Sequence, residues 1–277
     1  ILSNNHKIKY TYDIGERLHE YRYDNFRTNY EYDINDNIIK KQYRLDNISN
    51  TVENTFNSED LLTKVTLDNK EINYQHDSLG RLISKTLGEE YQTTYKYISN
   101  GNRTYDLIEE IKNGSNKYSY KYDKLNNITE VYYNDELIKK YSYDVHNELI
   151  EEEDYEKDEK ITYTYDNSGN LGTKVTKNLT TNDIIKTDTY QYGNSNWEDQ
   201  LTNYNGTSIT YDNIGNPLTI GNNISMSWMN GRSLNSYTDT SKNLNITYKY
   251  DVNGIRTNKI INGIETEYFS PCFRTAL

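Results

Sequence analysis

The sequence predicts an all-β chain of tandem β-hairpin repeats, each about 21 residues long, joined into a long curved antiparallel sheet. Three observations carry this. A Tyr-x-Tyr-Asp motif recurs along the whole length. Each copy runs into a short turn signal ending in Gly or Asn. Only two prolines, Pro217 and Pro271, interrupt 277 residues, and no segment shows a capped helical period, so almost no helix is expected.

The clearest copy is Tyr163-Thr164-Tyr165-Asp166-Asn167-Ser168-Gly169-Asn170-Leu171. Its relatives include Tyr248-Lys249-Tyr250-Asp251 leading to Gly254, Tyr211-Asp212 leading to Gly215, and Tyr74-Gln75-His76-Asp77 leading to Gly80. Tyr32-Asp33, Tyr122-Asp123 and Tyr143-Asp144 are followed by asparagine rather than glycine. With Asp13 added, the aspartate phase marks stand at steps of 20, 44, 46, 21, 22, 46 and 39. The long steps are double, with degraded copies at Phe56-Asn57, Tyr95-Lys96-Tyr97, Tyr190-Gln191-Tyr192-Gly193 and, faintly, Trp228-Met229-Asn230-Gly231. That makes about twelve units over residues 1–268, with a non-repeat tail at 269–277.

In Tyr-x-Tyr both rings lie on one face of an extended strand, because side chains alternate with period two. Asp-x-x-Gly or Asp-x-x-Asn then places an Asx acceptor at the start of a turn and a residue tolerant of positive φ at its end. Asn or Arg followed by Leu or Ile restarts a strand, as in Gly80-Arg81-Leu82. A second set of turns reads as Lys112-Asn113-Gly114-Ser115, Tyr133-Asn134-Asp135-Glu136 and Ile261-Asn262-Gly263-Ile264, the Asn-Gly pairs suiting type I′ hairpins. One hairpin cannot bury its aromatic face, so units must stack and share a core along a sheet that curves with its twist.

Composition narrows the function classes. Hydrophobic residues are 34% of the chain, below the ~45–50% usual for globular domains, yet 30 tyrosines supply ring surface that hydropathy averages under-count. The core is therefore expected to be aromatic. Net charge is −11 with no large Lys/Arg cluster, which argues against nucleic acid and anionic membrane surfaces as partners. Cys272 is the sole cysteine, so neither an internal disulfide nor a multi-cysteine metal site is expected. No run of 18 apolar residues exists, so membrane insertion is not expected. Ile1 opens without an initiator Met or a signal-like segment, and the chain reads as a fragment.

These residues resemble the YD-repeat or Rhs family, which includes bacterial wall-associated proteins, toxin-complex shell components and teneurins. The resemblance spans nearly the whole chain. It is most diagnostic at Trp197-Glu198-Asp199-Gln200-Leu201-Thr202, at Tyr211-Asp212-Asn213-Ile214-Gly215-Asn216-Pro217 and at Asp251-Val252-Asn253-Gly254-Ile255-Arg256-Thr257. It implies a spiralling β-shell, secreted or cell-wall associated, that packages a C-terminal toxin used between competing cells. The implied partners are the remainder of the shell and its toxin cargo. The self-cleaving core segment of such proteins has no counterpart here, so no proteolytic residue is carried over. The tail Phe269-Ser270-Pro271-Cys272-Phe273-Arg274-Thr275-Ala276-Leu277 has no family character and reads as a truncation or frameshift.

Catalytic, cofactor and metal sites have no positive support. Glu151-Glu152-Glu153-Asp154 reads as solvated charge at a hairpin tip. The repeated aspartates stand about 21 residues apart, whereas a calcium loop gathers its ligands within about 12, so turn capping is the better reading. His6, His19, His76 and His146 share no metal spacing, and His76 occupies a tyrosine slot. Neither a nucleophile elbow nor a phosphate loop is present. Asn-x-Ser/Thr at Asn47, Asn113, Asn127, Asn178, Asn205, Asn223 and Asn245 is what an Asn-rich chain produces by chance. Three readings follow: a non-enzymatic shell segment, a carbohydrate-binding adhesion module whose tyrosine ladder stacks on cell-surface glycans, or a non-functional gene fragment. The direction in which the rings point separates the first two.

Overall fold

The computed structural model describes residues 2–3, 6–88, 91–100, 103–270 and 273–276; Pro271 and Cys272 lie outside them. The chain is all-β, with a single 3₁₀ turn at Thr240–Lys242 among the described residues. No helix is long and apolar enough to cross a membrane. It divides into two units, Ile1–Tyr141 and Ser142–Leu277.

In the first unit successive strands pair antiparallel, from Leu2–Ser3 and His6–Tyr12 onward. The same meander continues through Tyr91–Asn100, Arg103–Asn113, Asn116–Tyr122, Ile128–Tyr133 and Glu136–Tyr143. The second unit repeats the pattern from Leu149–Asp154 and Glu159–Tyr165 to Ile264–Ser270 and Phe273–Ala276. In each unit the Asp turns therefore fall at one end of the strands and the second turns at the other.

The Asp turn is built the same way each time. The aspartate N–H donates to the carbonyl four residues on, and the residue three positions on donates back, as at Asp166 (2.9 Å to Asn170 and 3.1 Å from Gly169). The residue at +3 is left-handed: Glu16 (φ 61°), Asp36 (67°), Asp60 (59°), Gly80 (77°), Asn126 (70°), Asn147 (69°), Gly169 (83°), Gly215 (85°) and Gly254 (77°). A register slip just before the aspartate accompanies it, for example between Thr164 and Tyr165 and between Lys249 and Tyr250. This is the bulged hairpin loop, in which an αL residue returns the strand to register. It explains why glycine, asparagine and aspartate dominate that position.

The second turns at Asn134-Asp135 and Asn262-Gly263 have positive φ at both central residues, as type I′ requires. The Asn113-Gly114 turn differs from the sequence expectation by one residue. Asn113 pairs with Asn116, so Gly114 and Ser115 are central, and Gly114 takes the positive φ. This register sets Ile111 opposite Tyr118, a match that a one-residue slip would destroy.

Two further expectations are corrected. The Glu151–Asp154 run is strand rather than hairpin tip: Lys160, on the facing strand, bridges Glu151 (2.8 Å) and Glu153 (3.7 Å). Asp154 is 3% exposed and accepts the Lys157 N–H at 3.1 Å, turning the chain one step later. Nor is the interior uniformly aromatic. In the first unit Ile8, Tyr23, Phe26 and Ile138 are buried, with Tyr10, Tyr21 and Phe26 in edge-like contact. In the second, the buried residues are polar: Asp154, Thr176, Asp188, Asn216, Asp239, Thr257 and Asn258. Tyr23 is the sole buried tyrosine among the described residues, and most others are half-buried, since a single layer leaves each ring one open side.

Left-handed backbone costs an ordinary L-residue about 1–2 kcal/mol. A Cβ added at Gly254 meets nothing within 4 Å, so Gly254→Ala tests conformation alone. It should lower stability by about 1 kcal/mol or slightly more in chemical denaturation. Glu16→Gly should raise it.

Candidate functional site: the inter-repeat joint

The signature residues converge on one recurring joint. The aspartate Oδ1 accepts two backbone N–H groups, from the residues two and four positions on. The pattern holds at Asp33 (2.9 and 2.9 Å), Asp77 (2.9 and 3.0 Å), Asp123 (2.8 and 2.9 Å) and Asp144 (2.9 and 2.9 Å). It recurs at Asp166 (2.8 and 3.0 Å), Asp212 (3.0 and 2.9 Å) and Asp251 (2.9 and 2.9 Å). Asn57 does the same with its amide oxygen (2.9 and 2.9 Å). Asp77 lies below its ordinary pKa chiefly through the Arg81 guanidinium, Asp123 through the Asn127 amide, and Asp166 through the Asn170 backbone N–H.

The second tyrosine of the motif, followed by aspartate in the intact copies and by Ile98 or Gly193 in two degraded ones, ties its repeat to the preceding one. Its hydroxyl donates to the carbonyl of the residue that restarts the previous hairpin. The bonds are Tyr32 to Leu18 (2.8 Å), Tyr97 to Leu82 (2.9 Å), Tyr122 to Ile108 (2.6 Å) and Tyr165 to Leu149 (2.8 Å). Tyr192 to Leu171 (3.2 Å), Tyr211 to Leu201 (2.6 Å) and Tyr250 to Leu234 (2.8 Å) continue the series. At each site backbone pairing stops short of that carbonyl. Leu149–Asp154, for instance, pairs with Glu159–Tyr165 only from Glu151 onward. The phenol fills the place of the missing backbone donor.

Two degraded repeats keep the bond with other chemistry. Trp228 donates its indole N–H to the Pro217 carbonyl (2.7 Å). Phe56 has no hydroxyl, and Asn54, two residues earlier on the same face, donates to Ile38 instead (2.8 Å). Where the residue after the turn is arginine, its guanidinium covers the next tyrosine: Arg17 lies 4.7 Å from the Tyr32 ring and Arg81 4.3 Å from the Tyr97 ring. Gly254 has open space around it, Gly80 and Gly169 have Leu61 and Glu148 beside them, and Gly215 receives its neighbour most closely. A Cβ there would stand 2.5 Å from Trp197 Cη2.

Trp197 belongs to the one long break in the second unit's ladder. Strand Ile184–Gln191 meets only Asn203–Tyr204 beyond it, through Tyr190 opposite Tyr204 and Gln191 opposite Asn203. The intervening chain is pinned by Gly193 N–H to Thr202 Oγ1 (2.7 Å), Thr202 N–H to Gln191 (2.8 Å) and Asn194 to Gln200 (2.7 Å). Trp197 stays 44% exposed beside an open cleft of about 610 Å³ that Asn194, Gln200, Thr202 and Tyr211 help line.

Of the histidines, His19 and His76 lie in strands and His146 in the Asp144 turn, while His6 begins a strand. Among the described residues no group of three His, Cys, Asp or Glu is placed to hold a metal ion. The acceptor carbonyls and the substitute Asn54 were not singled out from sequence, whereas Trp228 stood in a faint copy of the motif. A backbone acceptor leaves no side-chain signature, although the fixed step from aspartate to the following Leu or Ile was visible.

Fold and joint together define a structural repeat array, a single-layer hairpin ladder fastened repeat to repeat by side chains. No family model matches the chain. Over 126 residues, 44% of its length, it is 34% identical to the tRNA nuclease WapA of Bacillus subtilis (strain 168). It is 33% identical over 126 residues to the tRNA3(Ser)-specific nuclease WapA of Bacillus spizizenii. The match spans only 5% of the length of these curated relatives. Among solved structures, the crystal structure of TcdB2-TccC3-TEV matches 94% of this chain with a TM-score of 0.64 at 13% identity, covering 16% of that chain. The Photorhabdus luminescens Tc holotoxin pore matches all of it with a TM-score of 0.63 at 14% identity, covering 15% of that chain. At such identity the likeness is one of fold.

Tyr165→Phe should cost about 0.5–1.5 kcal/mol, the net worth of one hydrogen bond, read as a shift in the denaturation midpoint. Asp77, Asp123 and Asp166 titrate below the ordinary value of 3.8. Their contribution is complete above that pH and is lost as pH falls through their lower folded values. Acid titration followed by circular dichroism should therefore show a folded plateau above about pH 4 and unfolding below it.

Proposed function

We propose that the chain is a segment of a YD-repeat, Rhs-type shell wall, secreted or held at the cell surface, that encloses a C-terminal toxin delivered to competing cells. On this reading residues 1–268 are the wall, residues 269–277 lie outside the repeat, and the segment itself performs no catalysis. The observation that carries it is the recurring tie from a tyrosine, indole or amide to the preceding repeat's carbonyl. Side-chain chemistry is spent on joining neighbours rather than converging on a ligand. The fold likeness to Tc toxin chains and the local identity to WapA support the same reading. The nuclease activity in WapA's name belongs to that protein, and a 5% match gives no ground for assigning it here.

The glycan-binding alternative rests on one observation, the half-exposed Trp197 at the mouth of its polar cleft. Light scattering and far-UV circular dichroism on the isolated 277 residues test the wall: a soluble, strand-rich monomer is expected, and a helix-rich spectrum would sink the reading. In the longer polypeptide that the shell requires, the downstream segment should resist protease, and deleting hairpins from 1–268 should expose it. Equal sensitivity with and without the hairpins would refute encapsulation. Glycan-array binding that Trp197→Ala abolishes would favour adhesion instead.

A further inference from the structure

The Asp turns are near-copies, which makes the exception among them informative. In six of them the residue four positions after the aspartate donates to the free carboxylate oxygen, Oδ2. These donors are Arg17 to Asp13 (2.8 Å), Asn37 to Asp33 (3.1 Å) and Arg81 to Asp77 (2.7 Å). Asn127 to Asp123 (3.0 Å), Asn170 to Asp166 (3.1 Å) and Asn216 to Asp212 (2.7 Å) complete the set. The Asn57 and Asp251 turns have Leu61 and Ile255 there, with no polar partner and no second charge. The Asp144 turn alone has a carboxylate, Glu148, which is acceptor-only when ionised.

Glu148 is half-buried, and its Oε1 lies 3.1 Å from where a Cβ on Gly169 would stand, in the following Asp turn. The groups that face it are Asp144 and His146 of its own turn, and Asp166 and Tyr165 of the next repeat. Three carboxyl groups thus share one corner with a single imidazole.

We propose that the Asp144 turn is a proton-dependent joint, in which a proton taken from solvent by Glu148 supplies the donor that asparagine or arginine provides in the sister turns. The new bond is Glu148 O–H to the Asp144 carboxylate; no covalent bond changes. Burial, then the Asp144 charge, raises Glu148 above the usual glutamate range, with the His146 imidazole opposing. Asp144 is lowered, first by the Glu148 backbone N–H, and so stays the acceptor. Turn closure therefore takes up a proton. It strengthens as pH falls from neutral through the raised Glu148 value, levels off below the ordinary glutamate value, and weakens only when Asp144 itself protonates.

Hydrogen exchange on the full chain tests this within one molecule. The amides of His146 and Glu148, held by Asp144 Oδ1, are compared with those of Ser168 and Asn170, held by Asp166 Oδ1. Between about pH 7 and pH 5 their protection ratio should rise about threefold or more in the wild type, where tenfold corresponds to one unit of pKa shift. Glu148→Asn should give a ratio that is already high at pH 7 and does not change. A flat wild-type ratio, or a rise that survives in Glu148→Asn, overturns the proposal; so does loss of the rise in His146→Asn. Should Glu148→Asn fail to fold, Glu148→Gln, neutral and of equal length, must abolish the rise in its place. A side-chain carbon titration must also place Glu148 above the ordinary glutamate value.

Discussion

The ladder depends on giving a hydrogen-bond partner to one backbone carbonyl per repeat. Each Asp turn ends in a bulge, and the strand that follows starts before its next neighbour can pair with it. The carbonyl five residues after the aspartate is then left without a backbone donor, and a half-buried orphan of this kind costs about 1–3 kcal/mol. A tyrosine on the next strand has the reach to satisfy it. One residue thus corrects a defect that the turn itself creates, which is why Tyr and Asp travel as a pair. At two places that lack the tyrosine the bond persists, through the Trp228 indole or the Asn54 amide, whereas His76, in a third such slot, makes no such bond. At those two places an indole or an amide serves in place of the phenol.

The aspartate does complementary work. By taking two N–H groups on one oxygen and leaving the other for the residue at +4, it fixes the loop in the single geometry that returns the strand in register. Because side chains alternate with period two, a loop one residue longer or shorter would turn every following tyrosine to the opposite face. Turn and tie are thus mutually dependent. The tie needs the tyrosine on the correct face, and where the tie forms it satisfies a carbonyl that the turn leaves without a backbone donor.

Much of this was legible in the residues. Tyr-x-Tyr fixed the strand parity, Asp166 to Gly169 fixed the loop and its αL end, and the spacing pointed to the eroded turns at Asn57 and Tyr192. What the residues did not disclose were interactions whose acceptor is backbone, such as Leu18 and Leu149, since a carbonyl is present at every position. The Glu151–Asp154 run was misread because charge density alone does not reveal a cross-strand Lys160. The Asn113-Gly114 turn was placed one residue early because its register is set by the pairing of Ile111 with Tyr118 across the strands.

The low hydrophobic content follows from the same construction. A ladder one layer thick offers few positions that are enclosed on all sides, and the buried side chains of the second unit are largely polar. Asp188 shows how they are accommodated. It is 4% exposed, yet accepts from the Tyr204 hydroxyl and the Asn205 amide, each at 2.7 Å, and pairs with Lys186 at 2.9 Å. Its pKa is accordingly held at about 2, first by Lys186 and then by the two neutral donors. In the second unit cohesion therefore draws on polar joints of this kind, while the first also buries Ile8, Tyr23, Phe26 and Ile138. Such joints link each repeat only to its neighbours, so stability is a sum of local terms. Repeats can be added or eroded without dissolving the rest, provided each new hairpin brings a donor for the carbonyl behind it.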